Sequence, residues 1–382
     1  MTETQKPVVS IIIPTRNRRE KLREAVDSVL AQEGAGVEFD TEIIVVDDAS
    51  TDDTPRVVPT WRGVRYIRLD DHKNTSAARN AGIAASRGDY LAFLDDDDLL
   101  LPCFARTLLS PGADVAYSSV ITEGDGVRKP QRNTHHPSGD VFLDILRHNV
   151  FIHIAAILIR RQIVVETGCF DESLPAIEDH DLLLRIAHRH RFVFVPGPVA
   201  IYRQSSSGLW ISTVSAGHHV ALLRRVYEHA MSLHPLPAGT KAAVLDHVDV
   251  YSMEQWTAHM PPGEPEDHAA HILARLRECP RLTRYPRYRH VAAHVGRTLA
   301  VTRSVETAEA FAAEIHRAAG RTLQANRLLA RVWIEIGIGL CLAGRWRSGC
   351  DAFFVAASRD PTQFLARLAK VCRERAHGAN LG

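Results

Sequence analysis

The sequence predicts an α/β protein, with a doubly wound sheet in its first half followed by an all-α C-terminal domain. Short β-branched runs alternate with helical patterns through roughly residue 200, the mark of strand–helix–strand units and a parallel sheet. Strand signals then stop near residue 210, and long amphipathic stretches take over. At 382 residues the chain suits two domains, each burying its own core.

The elements follow in order. Val8–Ile13 reads as a strand closed by Pro14, and Asn17 can cap a helix whose apolar positions Leu22, Ala25, Val26, Val29 and Leu30 keep helical spacing. Glu42–Val46 is continuously apolar, as expected of a strand covered on both faces. Val64–Leu69 is a shorter strand, Thr75–Ser86 an alanine-rich helix closed by Gly88, and Tyr90–Leu94 a further strand. A helix over Leu99–Leu109 could take Asp98 as its cap. Strands are expected at Val115–Val120, Ala155–Ile159 and Phe192–Val195, and helices at Val164–Thr167 and Asp179–His190. The domains are expected at 1–211 and 212–382, with Ser205–Gly208 as a loop beside the boundary. Amphipathic helices over His218–Ser232, Ala242–His259 and Ala269–Arg277 follow, and 329–358 is similar to one tetratricopeptide-like hairpin.

Composition narrows the function. Hydrophobic residues at 45% and charged residues at 24% describe a globular protein, and a net charge of +1 gives no nucleic-acid or membrane surface. No apolar run is long enough for a bilayer span, and the polar start Met1–Lys6 does not read as a signal peptide. Six scattered cysteines without a Cys-x-x-Cys pair fit a reducing cytoplasm rather than a zinc ribbon or disulfide framework.

Four consecutive aspartates, Asp95–Asp98, end the strand at Tyr90–Leu94. Neighbouring carboxylates repel by about 1 kcal/mol per pair even in water, so the run calls for a cation, a helix N-terminus or full hydration. A divalent-metal site holding a phosphorylated ligand is one reading, and an acidic helix start is the other. Two further polar clusters, Thr15-Arg16-Asn17-Arg18 and Asp47-Asp48-Ala49-Ser50, also follow strands. All three therefore fall at the carboxyl edge, where open α/β sheets bind ligands.

These residues carry a resemblance. Val9–Arg18, Ile44–Asp52, Ala78-Arg79-Asn80-Ala81-Gly82, Gly88–Asp98, Gly168–Glu172, Glu178–Arg185 and Tyr202-Arg203 resemble, in order, the segments of family 2 glycosyltransferases. The resemblance covers roughly residues 7 to 204 and implies the GT-A fold, a Rossmann-like doubly wound mixed sheet. It also implies a nucleotide-sugar donor, with a UDP-sugar the leading choice, and inversion at the anomeric carbon. Asp48 resembles the family carboxylate that meets the nucleobase, with Pro14, Thr15, Arg16 and Asn17 around the same donor pocket. Many relatives carry an aromatic residue at Arg16; a guanidinium can also stack, so the base stays open. Arg79 is the candidate phosphate contact, since its fork of donors suits phosphate oxygens. The Asp-x-Asp pattern assigns Mn²⁺ or Mg²⁺ to Asp97, with Asp95 as a second ligand, and turns Asp95 or Asp96 toward ribose and sugar. Asp179 is the expected base, Glu178 its alternative; Asp181 and Arg185 support their helix. Arg203 and the loop to Trp210 could form a lid, or Trp210 could pack in the core.

Two rival functions remain. A nucleotidyltransferase usually wraps triphosphate with a glycine-rich loop after the first strand, and Pro14–Arg18 has no glycine. A non-catalytic nucleotide-sugar-binding scaffold is the other, with the helical half as its interaction surface. That half could also bind acceptor or form a homodimer. The acceptor is open among a glycan, a natural product, a peptide and a lipid-linked sugar.

Overall fold

In the computed structural model the described residues are 6–124, 126–131, 135–147, 150, 152–204, 219–234, 236–258, 269–270, 272–274, 277, 305–319, 323–342, 352, 355–356 and 359. The chain divides into two compact units, Met1–Ile211 with Leu222–Pro237, and Ser212–Ala221 with Ala238–Gly382.

The first unit is built on one mixed sheet. Its strands are β1 (Val8–Thr15), β2 (Asp40–Asp47), β3 (Val64–Arg68), β4 (Tyr90–Phe93), β5 (Leu99–Leu100), β6 (Val115–Gly124), β7 (Val127–Pro130), β8 (Ile157–Arg160) and β9 (Val193–Arg203). Their spatial order is β3-β2-β1-β4-β8-β6-β9-β5, with β7 paired to β6. Strands β3, β2, β1 and β4 run parallel, whereas β8 lies antiparallel between β4 and β6. The fully parallel sheet read from strand–helix alternation is thus corrected to the mixed sheet that the family resemblance implied. Alternation of elements does not encode strand direction, and the β6–β7 hairpin turns the chain back before β8.

The helices of this unit are α1 (Arg19–Leu30), α2 (Thr54–Val57), α3 (Thr75–Ala85), α4 (Phe104–Leu109), α5 (Phe142–Leu146), α6 (Arg161–Glu166) and α7 (Glu178–Ala187). They are joined by α8 (His219–Leu233), which enters the unit at Leu222. Strand periodicity sorts the faces of β1. Val9, Ile11 and Ile13 share a core with Leu22, Ala25, Val26 and Val29 of α1. Ile12 packs against α3, so closely that a Cβ on Gly82 would lie 2.4 Å from Ile12 Cγ2. Gly82→Ala is therefore expected to destabilise the protein by about 1–3 kcal/mol in chemical denaturation.

Two local expectations are corrected. Residues 99–100 form a strand paired with Ala200 and Ile201, and the helix starts only at Phe104. Asp98 caps nothing; its Oδ1 accepts from Arg203 N at 2.9 Å. Asn17 does not cap α1 either. It sits in the left-handed region (φ 54) and turns its carboxamide to the backbone of Thr51 and Asp52, and the capping position falls to Arg18, whose side chain makes no capping bond.

The second unit contains α9 (Ala238–Ala258), α10 (Val305–Ala319) and α11 (Leu323–Leu342). The first arm of the proposed hairpin falls in α11, while most of its second arm, and the loop 205–210, lie outside the described residues. Among the described residues no helix is long and apolar enough to cross a membrane.

Candidate active site

The parallel strands bring the predicted clusters to one edge. Thr15 is in register with Asp47, Asp48 N donates to Thr15 O at 2.9 Å, and β4 delivers the four aspartates beside β1. Their alternation then separates them. Asp96 and Asp98 are buried at 5% and 1% exposure, whereas the side chains of Asp95 and Asp97 keep 35% and 18%. Sequence alone left the register of the Asp-x-Asp pattern blurred; burial sets Asp95 and Asp97 apart as the pair facing out.

Arg18 serves two of the aspartates. Asp96 accepts from Thr15 Oγ1 at 2.7 Å and from Arg18 Nη1 at 3.1 Å. The same Arg18 nitrogen lies 3.1 Å from Asp97 Oδ2, and Lys21 Nζ is 4.0 Å from that oxygen. Arg18 had no assigned role in the sequence reading. The signal for it was present, since an acidic run needs a nearby cation and Arg18 follows the adjacent strand. Asp98 Oδ2 is buried without a hydrogen-bond partner, 3.9 Å from His153 Nε2. Burial pushes the His153 pKa down to about 4, despite the charge of Asp95, so its ring is neutral.

Burial pushes the Asp96 carboxyl up to about 6, against the Thr15 hydrogen bond and the Arg18 charge, with Asp97 adding to the rise. Between its unfolded value of about 3.9 and this folded value, the native state holds a proton that the unfolded chain has released. Relative to low pH, this group's contribution to stability therefore falls as pH rises from about 4 to about 6. Asp96→Asn is expected to flatten that fall in thermal melts recorded from pH 4 to 7.

Arg79 joins the acidic cluster to the second motif. It was expected at a phosphate; the structure places it 2% exposed inside the unit. Its Nη2 donates to Asp95 Oδ1 and its Nη1 to Glu178 Oε1, each at 2.6 Å. Its guanidinium carbon lies 5.2 Å from the centre of the Phe170 ring, and that ring meets Phe93 edge-on. Burial opposes the charge on Arg79, but Asp95, Glu178 and Asp179 outweigh it and raise its pKa.

Glu178 and Asp179 open α7. Ile177 immediately before them is left-handed (φ 59), a conformation that costs an L-residue about 1–2 kcal/mol. That turn sets the direction in which the two carboxylates leave the chain. Glu178 is buried against Arg79, whereas Asp179 Oδ1 accepts only from the neighbouring His180 N at 2.7 Å among the bonds described. Burial raises both carboxyls, with Arg79 opposing. The helix is held from behind: the His180 ring is bonded to Tyr227 Oη of α8 at 2.6 Å, and Arg185 is paired with Asp181 at 2.7 Å.

The remaining predicted donor residues lie at the same edge. Pro14 is buried in β1 opposite Val46, Arg16 is exposed, and Asp48 is buried at 5% with bonds to His72 and Lys73. Arg203, which the sequence offered for a lid, is bonded by its side chain to Glu24 at 2.5 Å.

Comparison with known proteins decides the family. Residues 10–170 match the model described as glycosyl transferase family 2, and residues 133–228 match glycosyltransferase-like family 2, so together the matches cover more than half the chain. The chain belongs to glycosyl transferase family 2. This family 2 chain is 34% identical over 196 residues to the succinoglycan biosynthesis protein ExoO of Rhizobium meliloti, covering 46% of itself and 55% of that relative. Its fold is similar to the crystal structure of S. aureus TarS residues 1–349 in complex with UDP-GlcNAc, with a TM-score of 0.54, 15% identity and 92% of each chain covered. It is also similar to the mannosyltransferase PcManGT from Pyrobaculum calidifontis in complex with GDP-Man and Mn²⁺, with a TM-score of 0.51 and 17% identity over 94% of this chain and 88% of that one. The fold is therefore the GT-A fold.

Proposed function

We propose that this chain transfers a sugar from a nucleoside diphosphate sugar to an acceptor nucleophile, with inversion and with help from a divalent cation. The observation that carries this is the Asp95–Arg79–Glu178 bridge, which ties the acidic cluster and the start of α7 into one network through two 2.6 Å hydrogen bonds. Donor-side and acceptor-side carboxylates thereby share one rigid support.

Asp97 and Asp95 would hold the ion. They are hard oxygen ligands on partly buried carboxylates, and Mg²⁺ or Mn²⁺ commonly takes one or two protein carboxylates together with diphosphate oxygens and water. When bound, the cation supplies Lewis-acid stabilisation of charge on the leaving diphosphate. Arg18 and Lys21 already neutralise part of the Asp97 charge.

Asp179 serves as the base. Glu178 is fixed by its ion pair with Arg79, which leaves Asp179 as the carboxylate able to accept the acceptor's proton as the nucleophile attacks. Its raised pKa, caused first by burial, increases its strength as a base. Arg79 is a positioning residue: it acts through Asp95 and Glu178. The relatives support the same reading, because TarS is seen with UDP-GlcNAc and PcManGT with GDP-Man and Mn²⁺. The test is a panel of UDP-, GDP-, dTDP- and CMP-sugars, read by thermal protection and donor consumption with Mn²⁺. One nucleoside diphosphate sugar is expected to protect and to be consumed; a panel without any such donor would contradict the proposal.

A further inference from the structure

Two imidazoles meet at the far end of the helix that begins with Glu178 and Asp179. His188 is the residue on which α7 ends, and His234 follows the last residue of α8. Both belong to the first unit, and both are half-buried. Their Nδ1 atoms face each other at 3.3 Å, with ring centres 5.4 Å apart and ring planes at 88°. The buried Phe142 of α5 packs on the pair, its ring centre 6.0 Å from that of His188 and 5.2 Å from that of His234. Two neutral imidazoles cannot aim lone pairs at one another, so something positive must stand between the nitrogens. A shared proton is one solution, but protein N–H donors usually sit about 2.7–3.2 Å from their acceptors, and 3.3 Å is long for that. A metal ion is the other. Zinc lies about 2.0–2.1 Å from each imidazole nitrogen in a tetrahedral site, which sets two such nitrogens roughly 3.3–3.4 Å apart.

The surroundings favour a cation. Each imidazole follows the C-terminal end of a helix, where the dipole is negative. Burial, then the charges of His234 and Arg189, lower the His188 pKa, and the neutral ring is the form that ligates metal. Arg189 itself is exposed, so solvent screens its repulsion of an ion. We propose that His188 and His234 bind one Zn²⁺-type dication through their Nδ1 atoms, with water completing the tetrahedron. Imidazole suits Zn²⁺, whereas the hard ions Mg²⁺ and Mn²⁺ take oxygen ligands, so this site differs in chemistry from the acidic cluster. No third His, Cys, Asp or Glu joins the pair among the described residues, and two protein ligands make an exchangeable site rather than a closed structural one. The ion ties the ends of α7 and α8 together, adding to the His180–Tyr227 bond between the same helices. It thereby steadies the helix on which Glu178 and Asp179 stand. The inference does not rest on the donor-site reading.

Calorimetric titration with Zn²⁺ tests it on the full chain, on His188→Gln and on His234→Gln, with Mn²⁺ in excess to fill the acidic cluster. Each variant is expected to lose one equivalent of bound Zn²⁺ relative to the intact protein. Carbethoxylation of histidines in the intact chain, resolved by mass spectrometry, decides the matter even where a variant fails to fold. Zn²⁺ is expected to suppress labelling of both His188 and His234, and Mg²⁺ to leave it unchanged. Variants that bind as many Zn²⁺ ions as the intact chain, or labelling of the two rings that Zn²⁺ does not alter, would overturn the inference and leave a hydrogen-bonded pair only. Neither result bears on donor binding, so this inference and the proposed function fail separately.

Discussion

Arg79→Met is expected to abolish turnover and to lower stability by about 3–5 kcal/mol, the scale of removing one partner from a buried ion pair. The loss follows from what remains behind. Glu178 would stay buried with its carboxylate unpaired, and Asp95 would lose the donor that fixes it beside Asp97. Arg79→Lys separates the two effects. A lysine keeps the charge but cannot span Asp95 and Glu178 with a planar fork, so the variant should fold and still turn over slowly. Circular dichroism melts and steady-state kinetics on both variants check this. A fully active lysine variant would show that the bridge has no catalytic consequence.

Asp179→Asn is expected to lower kcat by about 10²–10⁴, the usual worth of general-base catalysis, with donor affinity unchanged. The substitution is nearly isosteric, and the carboxamide oxygen still accepts from His180 N, a bond of 2.7 Å in the native chain. The start of α7 therefore keeps its form while the proton acceptor is removed. Glu178→Gln should behave differently, weakening the Arg79 anchor and lowering stability as well as rate. Comparing kcat, donor affinity and melting temperature across the two variants assigns the base. If Glu178→Gln alone lost turnover, the roles of the two carboxylates would be exchanged.

Much of this arrangement was legible in the sequence, because strand ends and polar clusters are local signals. The strands that became β1, β2 and β4 could be read from apolar continuity, and their parallel pairing brought Thr15, Asp48 and the aspartates together. What could not be read was long-range. Arg79 read as a candidate phosphate contact, and only the fold places residues 79, 95 and 178 in contact. Asp98 looked like a helix cap because the pairing of Leu99 and Leu100 with β9 spans about a hundred residues. The split of the acidic run into buried Asp96 and Asp98 and outward Asp95 and Asp97 depends on chain direction at the strand end, to which composition is blind. Gly82 belongs to a motif that reads as functional, yet its own constraint is the close approach of α3 to Ile12.

Equilibrium binding of the donor found in the panel, measured with Mn²⁺ and again with chelator, on the intact chain and on Asp97→Ala, tests most directly whether the acidic cluster holds the diphosphate through an ion. Binding should require the metal and should weaken at least tenfold in Asp97→Ala, the loss of one strong charged contact. Equal affinity with chelator, or in Asp97→Ala, would contradict it.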